Sequence, residues 1–325
     1  MTGTRMLAEI HEQPDVLREL CRRALEEWRL PKSLDSLFRG ISSAVIVGSG
    51  SSFNAGLLAR LYLETLAELP ARVDPAAEAF RHRVPARPRP LAIGLSHSGS
   101  SADVRAALKR AKRQGCRTLA LTNIEGSPLT READVALVTG AGVEHAVPST
   151  KGFTALVAAS LLLAAHRADA LKSSTSAVAR AARVIEAADA VADIADITRR
   201  IASSKTAVFL GEGLSYPVAR DAALKLLEVT YIPALAYPPD EFRHGPIALA
   251  EPGVTIVALT PLPRAVAETA GASGAAVVEL PPVANVPRLV RPLVRAVELQ
   301  LLTHAVGTRL GRNIDHPRAL SKVVR

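Results

Sequence analysis

The chain has 325 residues, 48% of them apolar and only 3% aromatic, with a formal net charge of +9. That length suits two domains with aliphatic cores, and so few aromatic rings leave little for single-stranded bases to stack on. The positive excess comes from scattered arginines rather than a stripe, which argues against a nucleic-acid partner and leaves a general attraction for anionic substrates.

The N-terminal stretch MTGTRMLAEIHEQP lacks the apolar region of a signal peptide. The longest apolar run, Gly152 to Ala165, stops at His166 and is too short to span a bilayer. A cytoplasmic protein without a membrane partner is expected. Cys21, in a helical pattern, and Cys116, at the start of a strand pattern, read as unbridged core thiols.

In chain order, Pro14 to Leu30 shows helical spacing at Leu17, Leu20, Ala24 and Trp28. Ala44 to Val47 is a short β-branched run, followed by the turn sequence GSGSSFNAG and a helical stretch to Leu69. Leu91 to Leu95 predicts a strand, then SHSGSSADV and a helix ending near Gly115. Strands at Arg117 to Leu121 and Val135 to Val138 and a long apolar helix after Ser149 continue the alternation. Such alternation implies parallel sheets covered by helices, an α/β fold.

An internal repeat organises the chain. Residues 44–53 read AVIVGSGSSF and residues 207–216 read AVFLGEGLSY, so Gly48, Gly50 and Ser52 correspond to Gly211, Gly213 and Ser215. The strand before Ser96 corresponds to Val254 to Leu259 before Thr260. The expected organisation is a helical segment at 1–38, a first domain at 39–170, a helical linker at 171–203 and a second domain at 204–325. The copies differ in one loop: SHSGSSAD in the first is TPLPRAVAE in the second. The first half is therefore expected to hold a phosphate and the second to supply other chemistry.

Ser96, His97, Ser98, Gly99, Ser100 and Ser101 lie between a strand and a helix, and Ser51 and Ser52 open another helix at the matching edge. Serine hydroxyls and N–H groups there suit an anion at the carboxyl ends of the strands. The other reading is helix caps on flexible loops. GSGSS is neither a Walker loop nor GxGxxG. Lys225 and Glu228 share a helical face apart from Leu224, Leu227 and Tyr231. Spacing alone favours a solvent-exposed ion pair. The alternative is a carboxylate base with a cation beside it, as proton abstraction next to a carbonyl requires. His244, in DEFRHGP after Pro238–Pro239, reads equally as a ring-opening acid/base or as a structural histidine bonded to a carbonyl. The C-terminal DHPRALSKVVR places Lys322 near the end, where a lysine is usually solvated. No His/Cys cluster suggests a metal, and no cofactor is expected.

Together, GSGSSFNAG, LSHSGSSAD, GVEHAVPSTKGFT, ALKLLEVTY, EFRHGP and PRALSK resemble the sugar-isomerase (SIS) family, in order, from about residue 40 to the end. The resemblance is to its double-SIS subgroup: the isomerase part of glucosamine-6-phosphate synthase and stand-alone amino-sugar-phosphate deaminases and isomerases. It implies two tandem SIS domains, each a parallel sheet flanked by helices.

The resemblance also implies roles. Ser52, Ser96, His97, Ser98 and Ser101 would hold the phosphate, with Ser51 beside them, and Val147 and Ser149 would line the sugar hydroxyls. Glu228 would shuttle a proton between C1 and C2, Lys225 would stabilise the charge that develops, and His244 would open the ring from a neighbouring subunit of a homodimer. Lys322 would close over the sugar. Two departures stand out. Thr2 occupies the place of a glutaminase cysteine, so glutamine-dependent synthesis is not expected. Pro233 and Leu235 replace the His and acidic residue that follow the helix in the synthases. The expected activity is an amino-sugar 6-phosphate deaminase/ketol isomerase. The alternatives are a fructosamine-6-phosphate deglycase, an aldose–ketose phosphosugar isomerase and, outside enzymes, a sugar-phosphate-binding regulator.

Overall fold

The computed structural model describes residues 3–27, 32–83, 88–187 and 194–322. Trp28 and Leu30 of the first expected helix, part of the expected linker and the last residues of the chain lie outside them. The elements begin with α1 (Thr4–His11), α2 (Gln13–Glu26), α3 (Lys32–Phe38), β1 (Ala44–Gly48), α4 (Ser51–Leu66), β2 (Ala71–Pro75) and β3 (Leu91–Ser96). Next come α5 (Ala102–Arg113), β4 (Thr118–Thr122), α6 (Pro128–Glu132), β5 (Val135–Val138), α7 (Lys151–Arg167), α8 (Leu171–Ala187) and α9 (Ile194–Ala202). The second half follows as β6 (Thr206–Leu210), α10 (Ser215–Thr230), β7 (Ala234–Tyr237), α11 (Pro239–Phe242), β8 (Val254–Ala258), α12 (Arg264–Ala272), β9 (Ala276–Glu279) and α13 (Arg291–Arg309).

The chain forms two compact bodies, neither of them contiguous in sequence. One comprises Glu12–Glu144 and Lys151–Arg183. Its parallel sheet has the order β2-β1-β3-β4-β5. β1, β3 and β4 are buried along their whole length, as strands covered on both faces must be, which is why they read as unbroken apolar runs. Helix α7 packs against α2 and α4 and is buried from Lys151 to Ala165, so it carries no polar face. On the other side of the sheet Val104 and Leu108 of α5 join Val45, Val47, Ala92 and Ala120 in one core.

The second body comprises His145–Thr150 and Val184–Lys322 with α1. Its sheet runs β7-β6-β8-β9, again all parallel. Helices α1, α9 and α10 pack on α13, and Val208, Leu210, Phe242, Ile256 and Val266 form a core.

The repeat read from the sequence is present as a repeat of register. Ala44 pairs with Ala71 and Leu91, while Ala207 pairs with Ala234 and Thr255. The turns match as well. Gly50 and Gly213 both have φ of 55°. A Cβ on Gly48 or Gly211 would come within 2.8 Å of the backbone of Ser52 or Ser215. Strands β2 and β7, which the sequence reading did not pick out, are partly exposed edges without a continuous apolar run.

Candidate functional site

In the first body, Ser51 and Ser52 form the first turn of α4, and Ser96 to Ser101 join β3 to α5. β1 and β3 are neighbours in a parallel sheet, so both loops emerge at carboxyl ends of adjacent strands. A tie links them: the Ser49 hydroxyl donates to Asp103 of α5. Within the longer loop the Ser96 and Ser101 hydroxyls lie 2.9 Å apart. Gly99 N–H donates to Ser96 Oγ at 3.2 Å, and Ser100 N–H to Ser98 Oγ at 3.2 Å. Gly99 has φ of 61°, and a Cβ there would lie 2.1 Å from Ser127 Oγ, so the turn accepts only glycine.

His97 has contacts beyond the loop. Its carbonyl accepts from Asn123 N–H at 3.0 Å and Thr122 Oγ1 at 3.3 Å. Its ring lies against Gly152 in the first turn of α7, where a Cβ would come within 2.5 Å of Nδ1. Its Nε2 is 3.8 Å from the buried carboxylate of Glu144, whose Oε1 accepts from Gly152 N–H at 3.1 Å. Glu144, Asp103 and Asn123 carry this architecture, and sequence reasoning gave none of them a role. Glu144 stands inside the quoted motif GVEHAVPSTKGFT, which was its one visible signal.

In the second body, Asp221, Lys225 and Glu228 recur on one face of α10. The solvent-exposed Lys225–Glu228 ion pair that spacing favoured is not what forms. Lys225 is 1% exposed and pairs with Asp221, itself 3% exposed, because this face is the one turned inward. The face bearing Leu224, Leu227 and Tyr231 is the open one, with Leu227 43% exposed. Glu228 is half-buried. Burial pushes its carboxyl up to about 6, with Asp221 acting in the same direction and Lys225 and Lys322 acting against it. A carboxylate poised there accepts a proton at neutral pH and returns it readily.

Lys322 reaches this region because the tail is pinned. Asp315 is buried and accepts from Gly3 N–H at 3.1 Å and Met6 N–H at 2.9 Å, capping α1. The Asp315 carbonyl accepts Val147 N–H at 2.9 Å. Further on, Tyr231 Oη accepts Arg318 N–H at 2.8 Å, and the Arg318 guanidinium lies 4.1 Å from the centroid of the same ring. Lys322 Nζ then donates to the Val147 carbonyl at 3.5 Å. The structure thus brings together Glu228, Lys225, Lys322 and Val147. Ser149 is half-buried in the same segment, without a hydrogen bond to that set. His244 is exposed beyond α11. Its ring has no hydrogen bond or ion pair with any described residue. The thiols of Cys21 and Cys116 are buried and unbridged, and burial raises both, Cys21 to about 12. Among the described residues no helix is long and apolar enough to cross a membrane, and no cluster of His, Cys, Asp and Glu is arranged to hold a metal ion.

A duplicated parallel sheet with a serine loop after the third strand and a Lys–Glu helix in its second copy defines a class. The chain belongs to the SIS domain family, matching it over residues 37–166 and 200–273. Among its relatives is the glutamine–fructose-6-phosphate aminotransferase (isomerizing) of Bradyrhizobium diazoefficiens, 35% identical over 98% of this chain and 58% of that protein. The chain thus spans less than two thirds of such relatives. The C-terminal domain of glucosamine-fructose-6-phosphate aminotransferase from Francisella tularensis superposes with a TM-score of 0.85 at 30% identity, covering 96% of this chain and 98% of that one. A glucosamine-6-phosphate deaminase from Thermotoga maritima shares the fold, with a TM-score of 0.78 at 24% identity and 99% coverage of both chains.

Proposed function

We propose that the chain is an amino-sugar 6-phosphate deaminase/ketol isomerase. The observation that carries this reading is Glu228, a carboxylate raised by burial and flanked by Lys225 and Lys322. In the open-chain aldose, Glu228 removes the C2 proton. The resulting charge on O1 is stabilised by the lysine cations. The same carboxyl returns the proton to C1, O1 takes up a proton as the C2 amine gives one up, and an imine is left at C2. Water adds to C2 and ammonia departs, giving the ketose 6-phosphate. The hydroxyls of Ser52, Ser96, Ser98 and Ser101 are assigned to the phosphoryl group, with Ser51 and His97 beside them. Val147 and Ser149 are assigned to the sugar hydroxyls. The relatives named above, an aminotransferase that isomerises and a deaminase of glucosamine 6-phosphate, support a hexosamine 6-phosphate as substrate.

His244, exposed and without a hydrogen bond to any described residue, is assigned ring opening in a second copy, as part of a homodimer. The test is ammonia release and ketose formation across hexosamine and hexose 6-phosphates. The expected result is both products from glucosamine 6-phosphate. Ketose without ammonia, and from hexose 6-phosphates alone, would replace this reading with a simple aldose–ketose isomerase. Binding without turnover of any of them would leave a sugar-phosphate-binding protein.

A further inference from the structure

We infer that the second body carries its own binding site for a phosphate monoester, in a pocket at the carboxyl ends of β6 and β8 lined by Ser215, Thr260 and Arg291. The inference does not depend on the proposed reaction. The pocket encloses about 140 Å³, with Leu280 and Pro282 among its apolar walls.

Its position is that of the first body's serine loop. The repeat equates Ser52 with Ser215. The sheet register equates Leu91, opposite Ala44, with Thr255, opposite Ala207. Counting on along each strand sets Thr260 where Ser96 stands. Both hydroxyl positions therefore persist in the copy that lost the Ser/Gly loop.

These groups are also unsatisfied. Thr260 Oγ1 is buried with no hydrogen-bond partner. Neither the Ser215 hydroxyl nor the Arg291 guanidinium has a hydrogen bond or ion pair with a described residue. A buried hydroxyl left without a partner costs stability, and a ligand that accepts from it recovers the loss. The backbone is not the donor here. The N–H groups of Ser215 and Tyr216 go to the carbonyls of Glu212 and Gly213, and Pro217 has none.

Charge narrows the ligand class. Arg295 also lines the pocket, but it is committed: it pairs with Glu298 at 2.6 Å and donates to the Pro281 carbonyl. Arg291 remains as the uncompensated cation, so the ligand is an anion. Two hydroxyl donors and one planar guanidinium converging on a small cavity fit the oxygens of a phosphoryl group.

The experiment is calorimetric titration of the full chain with inorganic phosphate and with glucosamine 6-phosphate. The variants are Arg291→Met, Thr260→Val, and Ser96→Ala/Ser98→Ala/Ser101→Ala. Arg291 is exposed and Val nearly matches Thr in shape, so these two changes leave the packing in place, which thermal melting checks. In the triple-serine background a binding event should remain, and Arg291→Met should weaken it by about tenfold or more, the usual worth of a hydrogen bond to a charged group. Thr260→Val should weaken the same event. If Arg291→Met and Thr260→Val leave every binding event unchanged, the second site does not exist. If the serine changes alone have no effect, it is the phosphate assignment in the proposed function that fails.

Discussion

Helices α4 and α10 occupy the same place in the two copies, yet their inward faces are opposites in chemistry. Where α10 has the buried Asp221 and Lys225 and the half-buried Glu228, the equivalent positions of α4 carry the buried Leu58 and Tyr62 and the exposed Thr65. Leu58 and Tyr62 are fully buried. So are Asp221 and Lys225, nearly, as an ion pair. The loops after β3 and β8 are reversed: donor-rich Ser96–Ser101 in the first copy, Thr260 and two prolines in the second. One architecture thus carries a serine-rich loop in one copy and buried titratable groups in the other. A buried ion pair seldom improves on hydrocarbon for stability, so its presence in α10 alone points to chemistry.

The largest expected effect is on turnover. Glu228→Gln keeps the shape of the helix and removes the base, and kcat should fall by about 10²–10⁴. Binding of the sugar phosphate, followed by calorimetry, should stay within a few-fold of wild type. A Gln variant that still deaminates at the wild-type rate would remove the distinction between the helices.

Next is the buried pair. Asp221→Asn removes the buried carboxylate that pairs with Lys225 and should lower stability, by at most about 3–5 kcal/mol, read as a drop in the urea midpoint. Installing the first copy's residues, Asp221→Leu with Lys225→Tyr, should recover most of that stability without recovering activity. If Asp221→Asn melts like wild type, the pair is not the structural equivalent of Leu58 and Tyr62.

A smaller shift is expected in the pH profile. Turnover needs the ionised carboxylate, so kcat/KM should rise with pH through about 6, where Glu228 titrates. Lys322 holds that value down, so Lys322→Gln should move the acid limb upward. Asp221 pushes it up, so Asp221→Asn should move the limb downward in whatever folded fraction remains. A limb that ignores both changes would place the titrating group elsewhere.

The smallest effect tests how alike the copies are. Gly50 and Gly213 share φ of 55°, and a Cβ on either meets nothing within 4 Å. Gly50→Ala and Gly213→Ala should therefore each cost about 1–3 kcal/mol from backbone strain alone. Gly99→Ala, which drives a Cβ into Ser127, should cost more.

By itself the sequence determined the duplication, the strand–turn–helix units and the chemical types at the loops, because these follow from local periodicity and from glycine and serine placed at turns. It also put Lys225 and Glu228 on one helical face. Only the tertiary structure decided which face of α10 turns inward, and with it that Lys225 pairs with Asp221 rather than Glu228. Spacing along a helix defines faces but not their neighbours, and both desolvation and ion pairing belong to the neighbours. The same holds for His97 against Glu144 and Gly152, and for Lys322. That lysine reads as a solvated terminal residue until Asp315 and Tyr231 pin the tail beneath it, through contacts made between residues far apart in the chain.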